Sequence, residues 1–132
     1  MTPDAAERPL VLIIEDNADT ASALSMLLDD WGFAYLAAES PADAVRSLGA
    51  RIKEVQALIT DYHLRDGFTG IHGALAVANA IGHPVPTLVT TGFLDLAEYL
   101  DTFPVLSKPF DPAVLRQWLN FHLNPDDLEP RH

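Results

Sequence analysis

Apolar residues along this chain switch repeatedly between short continuous runs and helical spacing. Leu10–Ile14 (LVLII) is apolar and rich in β-branched residues, the pattern of a strand covered on both faces. From Ala18 to Trp31 the spacing becomes helical. Leu24, Leu27, Leu28 and Trp31 fall on one stripe, and Gly32 is placed to stop the helix. Ala34–Ala38 reads as a second, weaker strand. Ser40 and Pro41 then supply an N-cap and a first-turn proline, with Asp43 at the third helical position in a capping-box arrangement. Ala44, Val45 and Leu48 are the inward positions of that helix, and Gly49 ends it.

The third strand is predicted over Ala57–Thr60, leading into Asp61. A polar, glycine-containing loop spans 62–70, and a helix of small and apolar residues runs over Ile71–Ile81. Pro84 and Pro86 bracket the approach to a fourth strand, Thr87–Thr91. Residues 94–101 leave room for a short helix at most. Val105–Ser107 is the fifth strand. The last helix opens with Asp111 as N-cap and Pro112 at its first position, and Phe110 is placed to staple onto Leu115. Val114, Leu115, Trp118 and Leu119 are its predicted buried stripe.

Strands alternating with helices at this spacing imply a parallel sheet with helices on both faces. Right-handed crossovers leave few topologies for five such units. The commonest is the flavodoxin-like (βα)5 order 2-1-3-4-5, here with an abbreviated fourth helix. The 132 residues fit one domain, expected over 9–123, between a polar lead-in (1–8) and a proline-containing acidic tail (124–132).

Composition narrows the functions open to such a fold. The net charge of −11 repels a phosphate backbone, which argues against nucleic-acid binding. With no cysteine, neither disulfides nor thiolate metal sites are available. The histidines at 63, 72, 83, 122 and 132 form no close ligand pair. No run is long enough to span a membrane and no signal pattern opens the chain, so a cytoplasmic protein without a membrane partner is expected.

Ligands of open parallel sheets bind beyond the carboxyl ends of the strands. Glu15 and Asp16 follow the first strand, Asp61 ends the third, Thr91 ends the fourth and Lys108 follows the fifth. Three carboxylates brought to one sheet edge repel each other, and a hard divalent cation with oxygen ligands relieves that repulsion. A phosphoryl group would find a cation, the Lys108 ammonium and the Thr91 hydroxyl there, with Asp61 as nucleophile. Each residue also has a plainer reading. The acidic pair suits the positive end of the following helix, and Thr91 suits any strand end. No glycine-rich phosphate loop follows the first strand, where EDNADT stands instead, which disfavours a flavin or nucleotide site.

These residues resemble the receiver domains of two-component response regulators. The matching elements are IIEDN (13–17), LITDYHL (58–64), PTLVTTG (86–92) and SKPF (107–110), and thirty positions separate Asp61 from Thr91. The resemblance implies phosphorylation of Asp61 by a histidine kinase or histidine phosphotransfer protein. It implies Mg²⁺ (or Mn²⁺) on Asp16, Asp61 and the backbone carbonyl of His63, with Glu15 acting largely through water. Thr91 would turn inward on phosphorylation, and Lys108 would contact the phosphoryl group and precede a cis proline. His63 would tune the phosphoryl lifetime or remain a solvated loop residue. A downstream protein partner, in a monomer or weak dimer, completes the expectation. The alternative is a pseudo-receiver that only docks other proteins.

Three features depart from the pattern. Val105 stands three positions before the lysine, where the family often has an aromatic switch residue, although Phe103 is near. Only seventeen positions separate Thr91 from Lys108. The loop after Asp61 is one residue longer than the commonest form, and its DYHL…G…TG pattern looks like that of receivers attached to hybrid sensor kinases.

Overall fold

The computed structural model describes residues 8–64, 69–92 and 103–123. The expected lead-in (apart from Arg8), the short helix over 94–101 and the tail lie outside them. Strands β1 (Leu10–Ile14), β2 (Ala34–Ala38), β3 (Val55–Asp61), β4 (Thr87–Thr91) and β5 (Val105–Ser107) form one sheet in the order β2-β1-β3-β4-β5. Every neighbouring pair is parallel. Among the described residues the connections carry three α-helices, α1 (Ala18–Asp30), α2 (Pro41–Leu48) and α3 (Gly70–Ile81), and α4 (Pro112–Leu123) follows β5. This is the expected flavodoxin-like winding.

The side-chain alternation of the strands divides the core in two. Leu10, Leu12 and Ile14 of β1 point to one face, with Leu58, and meet Ala44 and Leu48 of α2 and Ala74, Val77 and Ile81 of α3. Val11 and Ile13 point to the other face, where Ile59, Leu88 and Leu106 join Leu24 and Leu28 of α1 and Leu115 and Leu119 of α4. All five residues of β1 are buried, which explains its unbroken apolar run. β2 lies at the sheet margin, and its alternation of half-buried and exposed positions explains its weaker signal.

Local chemistry sets the helix ends. Asn17 caps α1 by accepting from the Thr20 N–H at 3.0 Å, and Gly32, just beyond it, takes a positive φ of 87°. Ser40 accepts from the Asp43 N–H at 3.1 Å, but the Asp43 carboxylate pairs with Arg46. Asp111 accepts from the Ala113 N–H at 2.9 Å, and Phe110 packs into the cluster that holds Leu115.

Three sequence expectations change. β3 starts two residues earlier, at Val55, because a 3-10 segment, Gly49–Glu54, buries Ile52 and delivers the chain to the sheet sooner. Helix α3 starts at Gly70. Val114, expected in the buried stripe of α4, is 49% exposed. It lies about 100° around the helix from fully buried Leu115, which turns it off the face that Leu115 and Leu119 present to the sheet.

That difference is measurable. In urea denaturation, Leu115→Ala is expected to cost about 2–5 kcal/mol by leaving a cavity. Val114→Ala should stay within about 0.5 kcal/mol of the wild type. Equal losses would place Val114 in the core after all.

Candidate functional site

The carboxyl ends of the strands converge on four charged side chains, Glu15, Asp16, Asp61 and Lys108, and backbone bonds to neighbouring strands fix the chain at three of these places. The Glu15 N–H donates to the Ala38 carbonyl at 2.9 Å, so the chain just beyond β1 is still tied to β2. The Tyr62 N–H donates to the Thr90 carbonyl at 2.8 Å and holds the end of β3 against β4. The Lys108 N–H donates to the Thr91 carbonyl at 2.7 Å and fixes the residue after β5. The Lys108–Pro109 peptide bond is cis, as expected.

The side chains then meet. Lys108 Nζ lies 3.0 Å from Glu15 Oε1 and 3.4 Å from Asp61 Oδ2, joining residues 93 positions apart in sequence. Glu15 is 2% exposed, and its Oε2 also accepts the Asn17 N–H at 3.2 Å. Asp61 is nearly buried, and Asp16 is half-buried. One oxygen from each of Glu15, Asp16 and Asp61 lies within 4.8 Å of the others. At an effective dielectric of about 20, like charges at such a separation cost roughly 3 kcal/mol per pair. The set is three hard oxygen donors, which suits a divalent cation such as Mg²⁺ and fits no soft metal.

Titration of the pair follows from burial and neighbours. Loss of water raises the pKa of Glu15 above the usual carboxylate range, and the Asp61 charge adds to this. The hydrogen bonds from Lys108 and Asn17 work in the opposite direction. Burial alone would lower the Lys108 pKa, but Glu15 and Asp61 outweigh it and the net shift is upward. The Lys108 ammonium therefore holds its proton more firmly than a free lysine does.

Of the other expected residues, Thr91 ends β4, is fully buried and pairs with Ser107 across the sheet. His63 is exposed, with its ring edge-on to Tyr62 at 5.0 Å. Both stand at the same sheet edge as the charged cluster.

The loop after Asp61 contains features the sequence did not announce. His63 and Thr69 form an antiparallel bridge, and the Gly70 N–H donates to the Tyr62 carbonyl at 2.8 Å. Gly70 packs so closely that a Cβ there would stand 2.8 Å from the Asp61 carbonyl oxygen. The glycine could have been noticed as a close-approach position. The capping box of α3, between Thr69 and His72, was hidden because its third-position partner is a histidine where glutamate or glutamine is usual.

The ion pair predicts a double-mutant result. In metal-free buffer, Lys108→Met should destabilise the protein by about 2–4 kcal/mol, since a nearly fully buried Glu15 loses its counter-charge. Glu15→Gln on that background should recover more than half of the loss, as read by urea denaturation. Additive losses would mean the two groups are not coupled.

No family model matches the chain, and no curated protein matches it. Solved structures do. A response regulator receiver protein from Pseudomonas putida is 26% identical with a TM-score of 0.70, over 86% of this chain and 97% of that one. A response regulator receiver protein from Sinorhizobium medicae WSM419 is 25% identical with a TM-score of 0.73, over 89% and 96%. A response regulator receiver domain protein from Clostridium thermocellum, at 23% identity, shares the fold with a TM-score of 0.73 over 91% and 98%. Because this winding of the sheet is matched along nearly the whole length of such proteins, the chain has the fold of a response-regulator receiver domain.

Proposed function

We propose that this domain accepts a phosphoryl group on Asp61 and passes the resulting change to a protein partner. The observation that carries this reading is the Lys108 ammonium, set between Glu15 and Asp61 with Asp16 beside them. The donor is a phosphohistidine on a histidine kinase or a histidine phosphotransfer protein. An Asp61 carboxylate oxygen attacks phosphorus, an O–P bond forms, the N–P bond to imidazole breaks, and the released imidazole takes up a proton. Attack of water on the acyl phosphate later releases inorganic phosphate and restores the carboxylate.

Asp16, Asp61 and the His63 backbone carbonyl are the residues that would hold Mg²⁺ (or Mn²⁺), with Glu15 acting through water. Bound there, the cation would neutralise charge on the phosphoryl oxygens. Lys108 supplies a second positive charge, brought to the site by its backbone bond to Thr91. Thr91 offers its hydroxyl to a phosphoryl oxygen and links that bond to the packing of β4. Histidine-kinase partnership, a downstream protein target and a cytoplasmic setting belong to the same proposal. Among the described residues no helix is long and apolar enough to cross a membrane.

Incubation with acetyl phosphate and Mg²⁺ tests the reading. Intact-mass spectrometry should show the gain of one phosphoryl group, lost with EDTA and lost in Asp61→Asn. Lys108→Ala should reduce the yield by about 10²-fold or more, the scale expected when a charged group on the transferring phosphoryl is removed. A wild-type protein that stays unmodified would leave docking as the domain's role.

A further inference from the structure

The loop that follows Asp61 returns to it through Thr69 and Gly70, and one side chain fixes that return. Thr69 is the N-cap of α3, in extended conformation (φ −120°, ψ 169°). Its N–H donates to His72 Nδ1 at 3.0 Å, while the His72 N–H donates to Thr69 Oγ1 at 3.4 Å. Thr69 in turn bridges His63, and Gly70 is bonded to Tyr62 and pressed against the Asp61 carbonyl. The backbone of 61–63 therefore rests on 69–70, and 69 rests on His72.

We infer that His72 is a positioning residue for the proposed cation site: by holding Thr69 it fixes the His63 backbone carbonyl that would serve as a ligand. This rests on the function proposed above and goes one step further into its geometry. A rigid strut matters because Mg²⁺ demands near-ideal octahedral geometry at short distances, so a ligand carbonyl left free to swing costs affinity.

The choice of histidine has a charge rationale. The usual partner at this helix position is glutamate or glutamine. The first turn of α3 abuts Asp61, so a glutamate there would add a negative charge at the rim of a site that already gathers Glu15, Asp16 and Asp61. An imidazole Nδ1 accepts the same hydrogen bond without bringing a carboxylate to that rim.

The test uses the full chain and Mg²⁺ itself, titrated by calorimetry against wild type, His72→Ala and His72→Gln. Thermal unfolding without metal monitors the fold of each. His72→Ala is expected to weaken Mg²⁺ binding by about five- to tenfold, with its phosphorylation by acetyl phosphate shifted to correspondingly higher Mg²⁺. His72→Gln, which keeps a neutral acceptor, should stay within about twofold of wild type. Wild-type affinity in His72→Ala, or equal weakening in both variants, would overturn the inference while leaving Asp61 phosphorylation intact. A wild-type protein that binds no Mg²⁺ would overturn the underlying reading and this inference together.

Discussion

One ammonium ion holds together the carboxyl edge of this sheet. Glu15 is almost completely buried, and loss of water pushes it toward the protonated form. Asp61 stands close enough to add its own repulsion. Lys108 answers both, at 3.0 and 3.4 Å. Such a pair contributes little net stability, because burial costs nearly as much as the attraction returns. What it fixes is position. The ammonium has two acceptors and lies where they overlap, so the ends of β1, β3 and β5 cannot drift apart without leaving a charge unpaired.

The sheet makes that convergence possible. Parallel strands share one direction, so the residues that end them share one edge. Each charged position is also tied by a backbone bond to the next strand: Glu15 to Ala38, Tyr62 beside Asp61 to Thr90, and Lys108 to Thr91. Two layers of apolar contacts, one on each face, anchor the sheet beneath them. The charged side chains therefore meet with little freedom left to lose, which is the preorganisation that phosphoryl transfer relies on.

Much of this arrangement was legible in the amino-acid order, for reasons that differ by element. β1, β4 and β5 were bounded correctly because each is flanked by a proline, a glycine or a charged site residue, and β2 because Gly32 and the Ser40–Pro41 helix start bracket it. Glu15, Asp16, Asp61 and Lys108 could be brought together before any coordinates because strand ends in this topology have only one place to go. β3 was drawn short because the 3-10 segment before it carries no apolar periodicity beyond Ile52. Val114 was misplaced because an apolar residue beside a buried one satisfies a coarse stripe while facing outward. The strut from His72 through Thr69 to His63 was invisible, since a histidine three residues after a threonine is not a known cap signature. Recognising it required the backbone of the returning loop.

Glu15 also reaches beyond the site. Its Oε1 takes the Lys108 ammonium, and its Oε2 takes the N–H of Asn17, whose side chain in turn caps the first turn of α1 at Thr20. The same carboxylate thus touches the charge balance at Asp61 and the start of a helix on the outer face. The charge at Asp61 and the start of α1 therefore meet through one side chain, linked by three hydrogen bonds.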